Sequence, residues 1–369
     1  MAIGVGVKIL IAAGGTGGHV FPAISLANKI KELDASAEIA FCVDKRIGGN
    51  LLDKFGYKYF LLNAPQMPYG ISLKWISFLI RLMFSLFKSS EILFKANPDI
   101  VVGFGAYVSG PLLRTAKRKN KKIIIHEQNV TMGRANQILS KISDKIALGF
   151  KNDKYMKDPR SVLTGNPIRV ELLEDLNALN REGANHLLGL DPKKKTILIM
   201  GGSQGSHIIN IAFLETLRNL PEDLIDSIQI IHLTGKDEFV NVQSAYRNIK
   251  VKAIVHPFFE RMGLLYKTSD LVICRAGAIA VSELCIFALP TILIPYSGAG
   301  GHQMQNAIFL EKRGAAIVLQ EKHLRSLALK NAFVSLLLSG ETRVAMSKNA
   351  RLCTSADAAE KLAEAVLKL

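Results

Sequence analysis

One pattern occurs twice in this chain and restricts its fold more than any other feature. Lys8-Ile-Leu-Ile-Ala-Ala-Gly14-Gly-Thr-Gly-Gly-His19 and Thr196-Ile-Leu-Ile-Met-Gly201-Gly-Ser-Gln-Gly205-Ser-His207 each pass from an apolar run through a glycine-rich turn to a helix start. Ile9-Leu-Ile and Ile197-Leu-Ile lie 188 positions apart, about half of the 369 residues. An apolar run without polar alternation suits a parallel strand covered on both faces. Pro22, followed by the Ile24, Leu26, Ala27, Ile30 spacing, suits the first turns of a helix. Because Gly14, Gly15, Gly17 and Gly18 lack a Cβ, their backbone N–H groups can approach a bound anion. The helix N-terminus adds its partial positive charge, and Thr16 and His19 stand at the mouth of that nest. The spacing is neither a dinucleotide fingerprint nor a P-loop.

Further short apolar runs at Glu38–Val43, 100–104, 122–126, Ile228–Leu233, Leu271–Cys274 and 291–295 alternate with helical patterns, which predicts doubly wound α/β sheets. Two Rossmann-like domains in tandem are the simplest account. Residues 155–169 hold Pro159, Gly165, Asn166 and Pro167 with little periodicity, and the hinge is expected there. The expected domains are 1–165 and 166–351, with a terminal helix in 352–369 packing back on the first. A hydrophobic share of 49% is ample for two cores. The net charge of +16 favours an acidic partner: nucleic acid, anionic lipid or a phosphorylated substrate. Cys42, Cys274, Cys285 and Cys353 form neither a C-x-x-C pair nor a disulfide pattern, which favours the cytosol and argues against structural zinc. The first thirteen residues read as the first strand, not a signal peptide.

From Leu73 to Phe94 the chain is dense in large apolar side chains, yet Lys74, Arg81, Lys88 and Lys95 recur every seven residues and share nearly one helical face. Interrupted by Arg81, the run is too short for a membrane span. Two arrangements fit. In one the helix lies in a lipid interface, with Trp75, Phe84 and the other phenylalanines in the headgroup boundary and the cations on anionic lipid. In the other it is buried against the sheet with a charged outer stripe.

Four more stretches, three of them with glycine, bring polar groups to strand ends, where open α/β sheets hold ligands. Gly103-Phe-Gly105-Ala-Tyr107-Val-Ser109-Gly-Pro111 offers backbone donors and two hydroxyls to a phosphate, and His126-Glu127-Gln-Asn129 ends the next strand. In the second half, Cys274-Arg-Ala-Gly-Ala278-Ile279-Ala280-Val281-Ser282-Glu283 joins a strand to a helix, and a carboxylate at Glu283 can bridge two ribose hydroxyls. Pro295-Tyr-Ser-Gly-Ala-Gly-Gly-His302-Gln303-Met-Gln-Asn306 reads as a neutral polar lining for a sugar.

Together with Gly165-Asn-Pro-Ile-Arg169, Gly201-Gly-Ser203-Gln-Gly205 and Ala307, these motifs resemble, in order, the bacterial UDP-N-acetylglucosamine:undecaprenyl-pyrophosphoryl-muramoylpentapeptide N-acetylglucosaminyltransferases over about residues 8 to 310. The resemblance implies a glycosyltransferase-B fold, two Rossmann-like domains with parallel sheets facing across a cleft. It implies an inverting transfer of N-acetylglucosamine from UDP-N-acetylglucosamine to the C4 hydroxyl of an undecaprenyl-linked muramoylpentapeptide, in lipid II synthesis, at the cytoplasmic face of the membrane. By position it assigns the ribose to Glu283, the uracil edge to Phe259, and the diphosphate to Arg169, Ser203 and the Ala278–Ser282 helix start. Gln303 and Asn306 are assigned to the sugar, Thr16, Gly17, Gly18 and Asn129 to the cleft, and His19 to the catalytic base, with His126 and Glu127 as rivals. It favours membrane association of the 73–94 helix. Three positions depart from the family: Ala106 where a second glycine is usual, Ala280 where a hydroxyl is frequent, and Gly301 where a charged residue is common.

With no Asp-x-Asp in the chain, helix dipoles, Arg169 and backbone donors are expected to replace a metal, and no cofactor is expected. The alternatives are a UDP-N-acetylglucosamine 2-epimerase of the same two-domain plan and a non-catalytic nucleotide-binding scaffold on the membrane. Nucleic acid is not expected, because no interleaved stacking platform occurs.

Overall fold

The computed structural model describes residues 6–14, 17–44, 50–68, 73–324 and 327–369. The chain forms two compact units, Met1–Arg169 joined by Ala356–Leu369, and Val170–Ser355. In the first, β1 (Lys8–Ala12), β2 (Glu38–Val43), β3 (Lys58–Leu61), β4 (Ile100–Gly103), β5 (Lys122–Glu127), β6 (Lys145–Leu148) and β7 (Ser161–Leu163) make one parallel sheet ordered β3-β2-β1-β4-β5-β6-β7. The side-chain alternation of a strand, with both faces covered, explains why β1 is apolar after Lys8. Ile9 and Ile11 pack on one face with Val20, Ile24 and Ala27 of the Gly17–Leu33 helix and with Leu362 and Val366 of the terminal Ala358–Leu367 helix. Leu10 and Ala12 pack on the other with Leu112, Leu113, Ile92 and Leu93.

In the second unit, β8 (Lys195–Met200), β9 (Ile228–Leu233), β10 (Lys252–His256), β11 (Leu271–Cys274), β12 (Thr291–Leu293) and β13 (Ile317–Val318) form a parallel sheet ordered β10-β9-β8-β11-β12-β13. Ile197 and Ile199 of β8 pack with Ile209, Phe213 and Leu217 of the His207–Arg218 helix.

Both sheets wind outward from a central strand and then return to its other side. Their order reverses between β1 and β4 in one unit and between β8 and β11 in the other. A crevice opens at the C-terminal ends of the strands at such a reversal. The Gly14, Gly103, Gly201 and Arg275 turns all leave those strand ends, so topology alone brings the polar motifs together in pairs.

The chain changes unit after Arg169 rather than after Gly165, because the intervening residues belong to the first unit: Ile168 is buried and Asn166 donates its amide to the Gln128 carbonyl at 3.0 Å. The change falls at the end of the low-periodicity 155–169 stretch. That stretch contains the last turn of the Asp153–Met156 helix and the edge strand β7.

The Lys74–Ala96 helix has two unlike faces. Phe78, Ser85, Ser89, Ile92 and Leu93 face inward. The outward face is apolar: Ile76, Leu79, Ile80, Met83, Phe84, Phe87 and Phe94 are all more than half exposed. The outer stripe is thus apolar where a charged one was the second expectation. The cations flank the exposed apolar face, and Lys88 and Lys95 both pair with Glu91, at 2.7 and 2.8 Å. Hydrogen bonds from Lys88 and then Lys95 lower the Glu91 carboxyl to about 2. Trp75 is half-buried, edge-on to Phe78 with ring centroids 5.4 Å apart. Among the described residues no helix is long and apolar enough to cross a membrane.

Candidate active site

In the first unit the crevice residues surround the start of the Gly17–Leu33 helix, which carries Gly18 and His19. Gly15 and Thr16 lie outside the described residues. Gly14 is tightly enclosed, since a Cβ there would stand 3.0 Å from Val108 and 3.3 Å from the Asp44 carboxylate. His19 is partly exposed as a residue, but its Nδ1 is enclosed with no hydrogen-bond partner among the described residues. Burial lowers its pKa to about 4, so the ring is neutral at pH 7. Gly105 lies beside it: a Cβ on Gly105 would meet the His19 ring at 3.7 Å and the Asn136 amide at 3.5 Å. Arg169 stacks over Phe21, 5.2 Å from its centroid, so its guanidinium sits beside the first turns of the same helix.

Several expected site residues make hydrogen bonds within the scaffold. His126 is buried, with Nε2 3.0 Å from the Gly165 carbonyl and Nδ1 3.2 Å from the Gln128 amide. A carbonyl only accepts, so Nε2 carries the proton and Nδ1 accepts. Burial, outweighing that bond, lowers this imidazole to about 4. Glu127 accepts from the Asn129 backbone at 2.9 Å, the Asn129 amide at 3.1 Å, the Gly133 backbone at 3.0 Å and the Asn136 amide at 2.9 Å. Four donors occupy both oxygens of the carboxylate and hold it against the turn. Both rivals to His19 are thus committed elsewhere. Ser109 is fully buried and gives its hydroxyl to the Gly105 carbonyl, so only the Tyr107 side chain reaches the surface. The departure at Ala106 acquires a physical meaning, because its φ is +61°, a region that disfavours any residue with a Cβ.

In the second unit, Ser203 is exposed on the turn after β8. That turn presses on the one after β9, and a Cβ on Gly205 would fall 2.0 Å from the Thr234 carbonyl oxygen. The Ala278–Ile286 helix starts at the end of the turn after β11, with Gly277 as its cap residue. Helix geometry leaves the first-turn N–H groups of Ala278, Ile279 and Ala280 without intrahelical partners, pointing back along the axis. The Val281 N–H already donates to the Gly277 carbonyl at 2.9 Å, and the Ser282 hydroxyl donates to the Ala278 carbonyl at 3.0 Å. Glu283 is only 6% exposed and accepts from the Tyr266 hydroxyl at 2.8 Å. Phe259, half-buried, tilts against His256 with centroids 5.4 Å apart.

Gln303 and Asn306 brace the same turn. The Gln303 Oε1 accepts from the backbone of Ala276 at 3.3 Å and Tyr296 at 3.0 Å, which turns its amide nitrogen to the other side. Asn306 is fully buried and donates to the Ala276 carbonyl at 3.0 Å, which supports the loop. Gly301 has φ +75°, which explains why no charged side chain occupies it.

Sequence reasoning passed over the residues that tie these turns together. Arg275 reaches the Ile294 carbonyl at 3.1 Å, Ser206 at 2.7 Å and Glu321 at 2.7 Å. Glu321 in turn accepts from the Ser297 backbone at 3.1 Å. No local spacing marks such partners, which are brought together only by strand order. Among the described residues no cluster of three or more His, Cys, Asp or Glu could hold a metal.

Comparisons with known proteins agree with this geometry. The glycosyltransferase family 28 N-terminal domain matches residues 9–148 and the C-terminal domain of the same family matches 196–362. The chain is 36% identical over 366 residues to the "UDP-N-acetylglucosamine--N-acetylmuramyl-(pentapeptide) pyrophosphoryl-undecaprenol N-acetylglucosamine transferase" of Ruminiclostridium cellulolyticum, covering 96% of this chain and 98% of that protein. The chain belongs to glycosyltransferase family 28. The transferase of the same name from Clostridioides difficile is 35% identical, with 98% of this chain and 89% of that protein covered. Among solved structures the MurG of Acinetobacter baumannii superposes with a TM-score of 0.78 at 24% identity, covering 98% of this chain and 100% of that one. A UDP-GlcNAc 2-epimerase from Neisseria meningitidis reaches 0.68 at 15% identity, with 98% and 100% covered. These likenesses show the glycosyltransferase-B-type fold. The near-full-length identity to named transferases makes this family 28 member an N-acetylglucosaminyltransferase.

Proposed function

We propose that the enzyme moves N-acetylglucosamine from UDP-N-acetylglucosamine to the C4 hydroxyl of a lipid-linked muramoylpentapeptide, with inversion, as a peripheral protein on an anionic membrane surface. The observation that carries the reading is the extended identity to transferases named for that reaction. The second unit supplies the donor site: Glu283 for the ribose, the Phe259 segment for the base, and the first-turn N–H groups of the Ala278–Ile286 helix with Ser203 for the diphosphate. The first unit supplies the acceptor site. There the Gly14, Gly103 and Gly105 turns provide room for a phosphate, and the exposed apolar face of the Lys74–Ala96 helix rests in the lipid boundary.

Departure of UDP places negative charge on its diphosphate, which helix N-termini and backbone donors stabilise without reorganising. The attacking hydroxyl needs a base. His19 is neutral and therefore competent to accept a proton, while His126 and Glu127 are saturated by the scaffold. Its low basicity in the free enzyme rises when an anionic phosphate binds beside it, since a nearby negative charge favours imidazolium. Full-length protein incubated with UDP-N-acetylglucosamine and a short-chain muramoyl acceptor, with and without chelator, gives a disaccharide product by mass and acceptor-dependent UDP release. A new sugar nucleotide formed without acceptor would indicate an epimerase, and no turnover a scaffold; either refutes the reading.

A further inference from the structure

Tyr266 lies on the Met262–Thr268 helix and Glu283 on the Ala278–Ile286 helix, and the phenol hydroxyl donates to Glu283 Oε2 at 2.8 Å. Both are buried, Tyr266 at 2% exposure and Glu283 at 6%. The tyrosine is itself fixed. Its ring packs against Phe287 at 5.2 Å between centroids, and its helix begins beside Arg261, whose guanidinium grips the buried Asp175 carboxylate at 2.7 and 3.0 Å. A carboxylate has about four acceptor positions and turns freely about its last side-chain torsion. A fixed donor on Oε2 therefore orients it.

We propose that Tyr266 is a positioning residue for the donor nucleoside: it pins one oxygen of Glu283 so that the carboxylate is presented edge-on to the paired hydroxyls of a ribose. This rests on the reading of Glu283 as the ribose contact. The hydroxyl acts before substrate arrives, so its value appears in binding and in ribose discrimination, not in the chemical step.

The test compares UDP with 2′,3′-dideoxy-UDP by calorimetry on the full chain, alongside steady-state kinetics. The native enzyme prefers UDP by on the order of 100-fold, the worth of hydrogen bonds to a charged acceptor. Tyr266→Phe narrows that preference to about tenfold and raises the KM for UDP-N-acetylglucosamine by about tenfold, with kcat nearly unchanged. Phe287→Leu loosens the ring but keeps the hydroxyl; it lowers Tm and narrows the preference by less than Tyr266→Phe does. The double variant Tyr266→Phe, Glu283→Gln removes the buried charge together with its donor, and its preference equals that of Glu283→Gln alone. An unchanged preference in Tyr266→Phe, or an additional loss in the double variant, overturns the inference and leaves the ribose reading of Glu283 standing. An unchanged preference in Glu283→Gln overturns both.

Discussion

The outward face of the Lys74–Ala96 helix gives the most quantitative expectation. Met83, Phe84 and Phe87 are 71%, 72% and 78% exposed, so replacing all three with serine removes no packing from the folded unit. Such surface changes shift stability by no more than about 0.5 kcal/mol each. In a lipid interface the same side chains are worth more. Full burial of a large apolar side chain contributes about 1.5–3 kcal/mol, and an interfacial helix sinks only part of that depth. At roughly 1–1.5 kcal/mol each, the triple variant loses about 3–4.5 kcal/mol of membrane affinity, a drop of about 100- to 2,000-fold in partitioning. Sedimentation with vesicles containing anionic lipid measures it directly. Neutralising Lys74 and Arg81 costs about 1 kcal/mol per charge, and that loss disappears at high salt while the serine effect remains. Lys88 and Lys95 contribute less, because Glu91 already takes up one of their two charges. A triple-serine protein with native Tm and native partitioning would refute the membrane reading of this helix.

Three further expectations concern the first crevice and the buried imidazoles. Ala106→Gly releases a left-handed alanine worth about 1–2 kcal/mol against about 0.5–1 kcal/mol of added chain entropy, so urea melts shift toward higher stability by up to about 1 kcal/mol; a destabilised variant contradicts the strain. Burial lowers His19 and His126 to about 4 and His232 to about 3, all below the unfolded value near 6.5. In that window the unfolded chain binds more protons than the folded one. Stability is therefore intact above pH 6.5 and falls by up to about 1.4 kcal/mol per pH unit for each ring down toward pH 4, read by melts across pH. His19→Ala lowers kcat by ~10²-fold or more if the imidazole is the base, and flattens the acid slope by one proton; unchanged kcat removes it from the chemistry.

What could be read in the sequence was the backbone, and the reason is local. Unbroken apolar runs marked β2, β9 and β11 at both ends, and glycine turns marked the strand ends where the sheets reverse. The polar residues beside those turns were legible as a group but not one by one. Ser109, His126, Glu127, Ser282 and Asn306 look in sequence like ligand contacts, yet each spends its polar atoms on a backbone or a neighbour. A glycine turn at a strand end exposes N–H and C=O groups that need partners, so the same amides, hydroxyls and imidazoles are wanted for bracing and for binding. Which of the two a residue does depends on depth, and depth is set by strand order.

The bracing has its own consequence for the chemistry. The turn after β11 is held by Gln303 and Asn306 from one side, and Arg275 draws Ser206, Ile294 and Glu321 to the same point. Such a turn presents its N–H groups in one fixed array, and an anion bound to it is stabilised by the rigidity of the donors more than by any single side chain. Losing a hydroxyl at Ala280 subtracts one bond from that array without disturbing its aim. Cutting a brace lets every N–H wander at once. Asn306→Ala should therefore weaken UDP binding more than adding a hydroxyl by Ala280→Ser strengthens it, although Asn306 is fully buried and Ala280 is partly exposed at the first turn. Calorimetric titration of UDP ranks the two, and a larger effect at Ala280 would mean that side chains, not braced backbone, hold the diphosphate.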